Sequence, residues 1–113
     1  MSDCIFCKIV KGEISSKIVY EDEFVLGFED INPVAPVHIL VIPKYHLPST
    51  DSIDSQNSLY ISKVFEAIPK ISKIKNLDRG YRVVTNTGEA SGQTVKHIHF
   101  HILGGKTLDL KMC

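Results

Sequence analysis

The chain is poor in the residues that mark several large classes of protein. It has no tryptophan and three cysteines among 113 residues, whereas secreted disulfide scaffolds are rich in cysteine and usually even in count. Thirteen basic residues balance thirteen acidic ones, which argues against nucleic acid and acidic membranes as partners. No apolar run approaches the roughly 18 residues of a membrane span, and no secretory signal is visible near the start. We therefore expect a cytoplasmic protein with reduced thiols.

The composition that remains is that of an ordinary globular protein. Hydrophobic residues make up 43% of the chain and charged residues 23%, which are typical globular proportions. The chain has no internal repeat and no linker-like stretch. We expect residues 1–113 to form a single domain.

Hydrophobic periodicity and turn residues predict an α+β fold. The expected elements are a short helix over 4–11, a hairpin within 17–30, a strand over 37–42 stopped by Pro43, a helical run over 54–75, a strand over 81–85 and a last strand over 95–103. Pro69 should kink or end the long helix near Ile68. Strands joined by turns, with one long helical insertion, predict an antiparallel sheet with helices packed on one side.

The segment HIHFHIL, residues 97–103, contains three of the five histidines. Because side chains in a strand alternate between faces, His97, His99 and His101 should point one way and the apolar residues between them into a core. Neutral imidazoles still need hydrogen-bond partners. Three alternatives fit this pattern: a metal site, nucleophilic or acid–base catalysis, or an incidental polar face.

Two further segments are candidates for chemistry. The loop Gly92-Gln93-Thr94 enters the histidine segment, and successive backbone N–H groups and a hydroxyl in such a loop can hold an anion. Cys4 and Cys7 form a C-x-x-C pair, which suits metal binding, redox chemistry or simple burial as small hydrophobes.

The histidine segment resembles the H-φ-H-φ-H-φ-φ motif (φ apolar) of the histidine triad superfamily of nucleotide hydrolases and transferases. Other similar segments lie at residues 3–9, 28–33, 36–44, 92–94 and 104–105, so the resemblance covers about residues 3–105. The closing Gly104-Gly105 resembles the Hint branch of purine nucleoside phosphoramidases more than the Fhit branch of dinucleoside polyphosphate hydrolases.

The resemblance implies a role for each matching residue. His99 matches the nucleophile that attacks the α-phosphorus, and His101 and His38 match its partners. Asp30 matches the carboxylate that accepts both ribose hydroxyls, although an Asp before Asn32-Pro33 also suits a turn. Phosphate contacts are implied for Asn86, Gly92 and Thr94. The implied purine slot consists of Ile5, Phe6, Ile9, Phe28, Ile31 and Leu40.

The resemblance also implies a fold, an assembly and a metal. The expected fold is an antiparallel sheet of about five strands with two helices, and two subunits usually join into a homodimer with one continuous sheet. His46 and His97 complete a Cys₂His₂ set with Cys4 and Cys7, as in many prokaryotic members. Four protein ligands leave no open position for water, so the zinc is expected to be structural.

The implied function is hydrolysis of purine nucleoside 5′-phosphoramidates and related acyl- or lysyl-adenylates. Thr94 stands where the Hint branch commonly has Ser and keeps a hydroxyl for leaving-group protonation. Two alternatives are a dinucleoside polyphosphate hydrolase and a non-catalytic adaptor that binds nucleotide and zinc. A uridylyltransferase is disfavoured, because that branch usually replaces the third histidine by Gln, whereas this chain has His101.

Overall fold

The computed structural model describes residues 4–110, which form one five-stranded antiparallel sheet with two α-helices. The elements are α1 (Ile5–Val10), β1 (Ile18–Glu21), β2 (Val25–Glu29), β3 (Val37–Pro43), α2 (Ser58–Ile74), β4 (Tyr81–Val84) and β5 (Phe100–Gly104), with short 3₁₀ turns at Thr50–Ser52 and Glu89–Ser91. The strand order is β1-β2-β3-β5-β4, which confirms the predicted fold class. Neither α-helix of the described segment has the length and apolarity needed to cross a bilayer.

The predicted hairpin is formed by β1 and β2 and closed by an aspartate. The Asp22 carboxylate accepts hydrogen bonds from the backbone N–H groups of Phe24 and Val25, both at 2.8 Å. It also accepts the Tyr20 hydroxyl at 2.6 Å. This hydrogen bond, together with burial, raises the pKa of Tyr20 to about 12, because an ionised tyrosine would lose the hydrogen bond and face the carboxylate as a like charge.

The two helices lie on opposite faces of the sheet, so the prediction that both pack on one side is wrong. α2 packs on the face that carries Val25, Ile39 and Ile102. On the other face, Phe6 of α1 packs against a second cluster that includes Leu40. β2 and β3 are apolar on both faces, and each face therefore has to be covered by a helix.

α2 continues through Pro69, contrary to the expectation that this residue would kink or end it. The buried side chains of the helix, including Ile68 and Ile71, lie on both sides of the proline and pack into one core. Pro69 itself is exposed, so the backbone hydrogen bond it removes lies on the solvent side. Core packing offsets the local cost of the proline.

The last strand begins at Phe100 instead of residue 95. Its pairing with β3 stops at Val41–Phe100, and the backbone N–H of Ile98 donates instead to the Leu47 carbonyl, beyond the end of β3, at 2.6 Å. β3 itself includes Pro43 and is one residue longer than expected. The predicted alternation of faces continues before the strand begins, because Ile98 joins the core on the α2 side together with Phe100 and Ile102 of β5.

Candidate functional site

His38 and His101 form a hydrogen-bonded pair on the α1 side of the sheet. His38 Nε2 lies 2.9 Å from His101 Nδ1. The backbone N–H of Val34 donates to His38 Nδ1 at 3.1 Å. Because that backbone group can only donate, neutral His38 carries its proton on Nε2 and donates it to His101. His101 then keeps its own proton on Nε2, where it remains a donor.

His99 has the opposite tautomer. Its Nδ1 lies 2.8 Å from the carbonyl oxygen of His97, which can only accept, so Nδ1 carries the proton. The lone pair of the neutral ring is therefore on Nε2, which is the arrangement a nucleophile needs. His99 is buried, and its ring makes an edge-on contact with Phe6, with centroids 5.1 Å apart.

Asp30 lies beside this histidine pair. Its Oδ2 is 3.3 Å from His38 Nε2, and its Oδ1 accepts the backbone N–H of Asn32 at 2.8 Å. The hydrogen bond from Asn32 is the turn contact expected of an Asp before Asn32-Pro33. The contact with His38 connects the carboxylate to the site. The resemblance did not point to the contact with His38.

Burial favours the neutral forms of His38 and His101. It lowers the pKa of His38, with the Asp30 carboxylate opposing the effect. Burial, with the neighbouring His99 and His38, lowers the pKa of His101 to about 4. At pH 7 both rings are therefore uncharged and can move protons by tautomer exchange without building up positive charge.

The structure brings together only part of the predicted purine slot. Phe6, Phe28 and Leu40 belong to one buried cluster, and Ile9 packs against it. The side chains of two other members are exposed and lie outside this cluster: Ile5 at 45% and Ile31 at 92%. The described site therefore has an apolar floor next to His99.

The predicted phosphate loop lies at the surface and is held together by its glutamine. Gly92 has φ of 99°, a conformation that favours glycine, and Thr94 is exposed while Asn86 is half-buried. Gln93 was not predicted as a functional residue. Its amide accepts from the Gly88 N–H at 2.9 Å and donates to the carbonyls of Pro48 at 2.7 Å and Val95 at 3.0 Å, so it shapes the loop through three backbone groups.

All four predicted metal ligands meet in one cluster. The ligand atoms of Cys4, Cys7, His46 and His97 lie within 4.8 Å of one another. His97 Nδ1 is 3.4 Å from Cys4 Sγ and 3.1 Å from His46 Nδ1, and Cys7 Sγ is 3.3 Å from His46 Nδ1. Cys113, the third cysteine, lies outside the described residues.

The donor set of this cluster fits a tetrahedral metal. Zinc–ligand bonds of about 2.0–2.3 Å require neighbouring ligand atoms to be roughly 3.3–3.8 Å apart, close to the separations observed. His97 Nε2 lies 2.8 Å from the Pro43 carbonyl, which places the proton on Nε2 and the lone pair of Nδ1 toward the cluster. Burial raises the pKa of Cys7, and its hydrogen bond to Cys4 adds to this effect, so a cation would stabilise the thiolate form.

Comparison with known proteins identifies the family. The family model described as HIT domain matches residues 11–108. The chain belongs to the HIT family. It is 47% identical over 106 residues to an uncharacterized HIT-like protein of Rickettsia prowazekii, covering 92% of this chain and 88% of the relative.

HIT relatives with functional names are also similar. The purine nucleoside phosphoramidase of Escherichia coli K12 is 39% identical over 107 residues, which is 94% of this chain and 90% of that protein. The structure of a HIT family hydrolase from Clostridium thermocellum superposes with a TM-score of 0.97 at 43% identity, covering 100% of this chain and 99% of the other. These similarities place the chain among HIT family hydrolases and confirm the resemblance inferred from the sequence.

Proposed function

We propose that this protein hydrolyses purine nucleoside 5′-phosphoramidates and related acyl- or lysyl-adenylates through a nucleotidyl intermediate on His99, releasing AMP or GMP. The observation that carries the proposal is the 2.8 Å separation between His99 Nδ1 and the His97 carbonyl oxygen, which can only accept and so places the ring proton on Nδ1. That bond leaves the Nε2 lone pair available to attack phosphorus. The phosphoramidase name of the Escherichia coli relative favours the same activity.

The reaction balances with the groups of this site. His99 Nε2 forms a bond to the α-phosphorus, the P–N bond breaks, and the amine leaves with a proton. His101 Nε2–H, backed by His38 Nε2–H at 2.9 Å from His101 Nδ1, is one source of that proton. The exposed Thr94 hydroxyl is a second source. Water then attacks phosphorus, the bond to Nε2 breaks, and a proton returns to the histidine pair.

The same geometry supports the proposed substrate recognition. The cluster around Phe6, Phe28 and Leu40 offers an apolar contact to a purine. Asp30 offers Oδ2 to the ribose hydroxyls, and a carboxylate can accept both. Backbone N–H groups around Gly92, together with Asn86 and Thr94, would hold the phosphate.

We also propose a structural zinc ion held by Cys4, Cys7, His46 and His97. The ligand-atom separations and the tautomer of His97 support this assignment. Bound there, the metal would supply a charge and four bonds that hold α1 to the sheet. Phe6 of α1 lies between Cys4 and Cys7 in the sequence, and its ring contacts His99. The same bonds would therefore hold Phe6 and the apolar cluster around it in place beside His99.

A homodimer through β4 is proposed as the assembly. β4 is an edge strand, and its Tyr81 and Val83 are partly exposed. Both side chains lie on the α2 face of the sheet, because Val83 pairs with Ile102, which belongs to the core on that face. Phe65 and Ile74 of α2 are also about half exposed. A second copy would pair the edge and cover these apolar groups.

The deciding experiment compares substrates and a nucleophile variant. Wild type and His99→Ala are assayed with adenosine 5′-phosphoramidate and, in parallel, with diadenosine polyphosphate, while AMP binding and circular dichroism check the fold. We expect rapid AMP release from the phosphoramidate by wild type and a loss of about 10⁴-fold or more in the variant, as for other removed nucleophiles. Faster turnover of the dinucleotide would identify a dinucleoside polyphosphate hydrolase. Absence of turnover by a folded wild type that binds AMP would favour the adaptor.

A further inference from the structure

The backbone of His99 lies just beyond the end of the sheet ladder. The last pairs of β5 toward its N-terminal end are Phe100 with Val41 and His101 with Val84. The backbone of the proposed nucleophile is therefore one residue outside regular strand pairing, and other contacts have to hold it.

A threonine side chain supplies one of these contacts. Thr85, the residue directly after β4, donates its hydroxyl to the carbonyl oxygen of His99 at 2.8 Å. Two other hydrogen bonds hold this segment, and both are accepted by backbone carbonyls: His99 Nδ1–H donates to the His97 carbonyl, and Ile98 N–H donates to the Leu47 carbonyl at 2.6 Å. A change at Thr85 therefore removes a hydrogen bond to the His99 backbone and leaves the histidine ring and its contact with Phe6 in place.

We propose that Thr85 is a positioning residue for the nucleophile. Its hydroxyl extends the link between β4 and β5 by one residue and fixes the peptide plane that follows the Cα of His99. That plane helps to fix the position of the His99 Cα, from which the ring extends, and small misplacements of a reacting atom reduce the rate strongly. The inference rests on the proposed hydrolase function, but it acts on the chemical step instead of on nucleotide binding.

A valine at position 85 keeps the shape of threonine and removes the donor. We expect Thr85→Val to lower kcat by about fivefold, in the range of one lost hydrogen bond, with KM within about twofold of wild type because base and phosphate contacts are unchanged. Thr85→Ser restores the hydroxyl and should return kcat to within about twofold of wild type.

Thr87→Val is the matched control. The Thr87 hydroxyl lies 2.6 Å from the Thr50 hydroxyl, so this variant loses a threonine hydrogen bond two residues away without touching His99. Both valine variants should lower Tm by similar amounts, whereas only Thr85→Val should lower kcat. Equal kcat in wild type and Thr85→Val, or an equal fall in both valine variants, would overturn the proposal.

A second measurement keeps this test separate from the hydrolase proposal. The ring ¹⁵N resonances of His99 report its tautomer and the exchange of Nδ1–H with water, and they require no substrate. We expect faster exchange and shifted His99 resonances in Thr85→Val, and wild-type behaviour in Thr85→Ser and Thr87→Val. An inactive wild type with these shifts would refute the function but retain the positioning role; unchanged resonances in Thr85→Val would refute the positioning role.

Discussion

The ring of His99 is hydrogen-bonded to the backbone carbonyl of His97. The Nδ1–H of His99 donates to the His97 carbonyl at 2.8 Å, while the His97 ring faces the Cys4–Cys7–His46 cluster and donates to the Pro43 carbonyl. One residue therefore contributes its side chain to the proposed metal centre and its backbone to the proposed nucleophile. Both sites depend on the same short segment of chain.

Removal of one proposed metal ligand tests the metal centre. Purified wild type should contain one zinc per chain, and Cys7→Ser should lose most of it, because three ligands hold the ion far less tightly. Tm should fall by about 10 °C, because a loss of roughly 2–3 kcal/mol in the free energy of unfolding lowers Tm by about 4 °C per kcal/mol in a domain slightly above 100 residues. Elemental analysis and calorimetry measure both effects. Cys113→Ser is the control and should keep full zinc; an equal loss there, or metal-free wild type prepared without chelator, would contradict the assignment.

Asp30→Asn tests whether the carboxylate recognises ribose. We expect KM for the ribonucleoside phosphoramidate to rise about tenfold, the effect of losing a charged hydrogen-bond acceptor, while KM for the 2′-deoxy substrate changes much less. Steady-state kinetics on the two substrates measure the difference. If kcat instead falls equally for both substrates and KM does not change, Asp30 acts through its 3.3 Å contact with His38 and not through ribose.

The depressed pKa of His101 predicts a pH-dependent stability. Burial, with the neighbouring His99 and His38, lowers this pKa from 6.5 to about 4. Between these values the unfolded chain binds a proton that the folded chain does not, so the free energy of unfolding falls as the pH falls from 6.5 toward 4. Urea unfolding at pH 7 and pH 5 should show a smaller fall for His101→Gln than for wild type at the same metal content. Identical falls would mean that His101 titrates normally in the folded protein.

Two isoleucines of α2 provide a matched test of the α2-side core. Ile71 is fully buried, whereas Ile74 on the same helix is 53% exposed. Ile71→Ala should lower the free energy of unfolding by about 2–5 kcal/mol, because it leaves a cavity, and Ile74→Ala by less than about 1 kcal/mol. Denaturant titration measures both. A large effect at Ile74 would instead indicate that this side chain is covered in the assembled protein, as the proposed dimer requires.

The sequence alone predicted the fold class, and its resemblance to a known family supplied most of the candidate site residues. The alternation of His97, His99 and His101 with apolar residues predicted one polar and one buried face, and Ile98, Phe100 and Ile102 do lie in the core. This prediction works because side-chain direction along an extended chain is a local property. The resemblance to the histidine triad superfamily added His46 and His97 to the C-x-x-C pair as a ligand set, and the four ligand atoms meet in the structure.

Only the tertiary structure decided which partners hold these residues and where the elements end. Core packing carries α2 through Pro69, and bonds to Leu47 and Thr85 hold the segment before Phe100 outside the ladder. The contacts from Val34 to His38, from His38 to His101 and from the His99 ring to the His97 carbonyl determine which ring nitrogens carry protons. Such hydrogen bonds join residues up to 63 positions apart, and local sequence pattern carries no information about pairings at that separation.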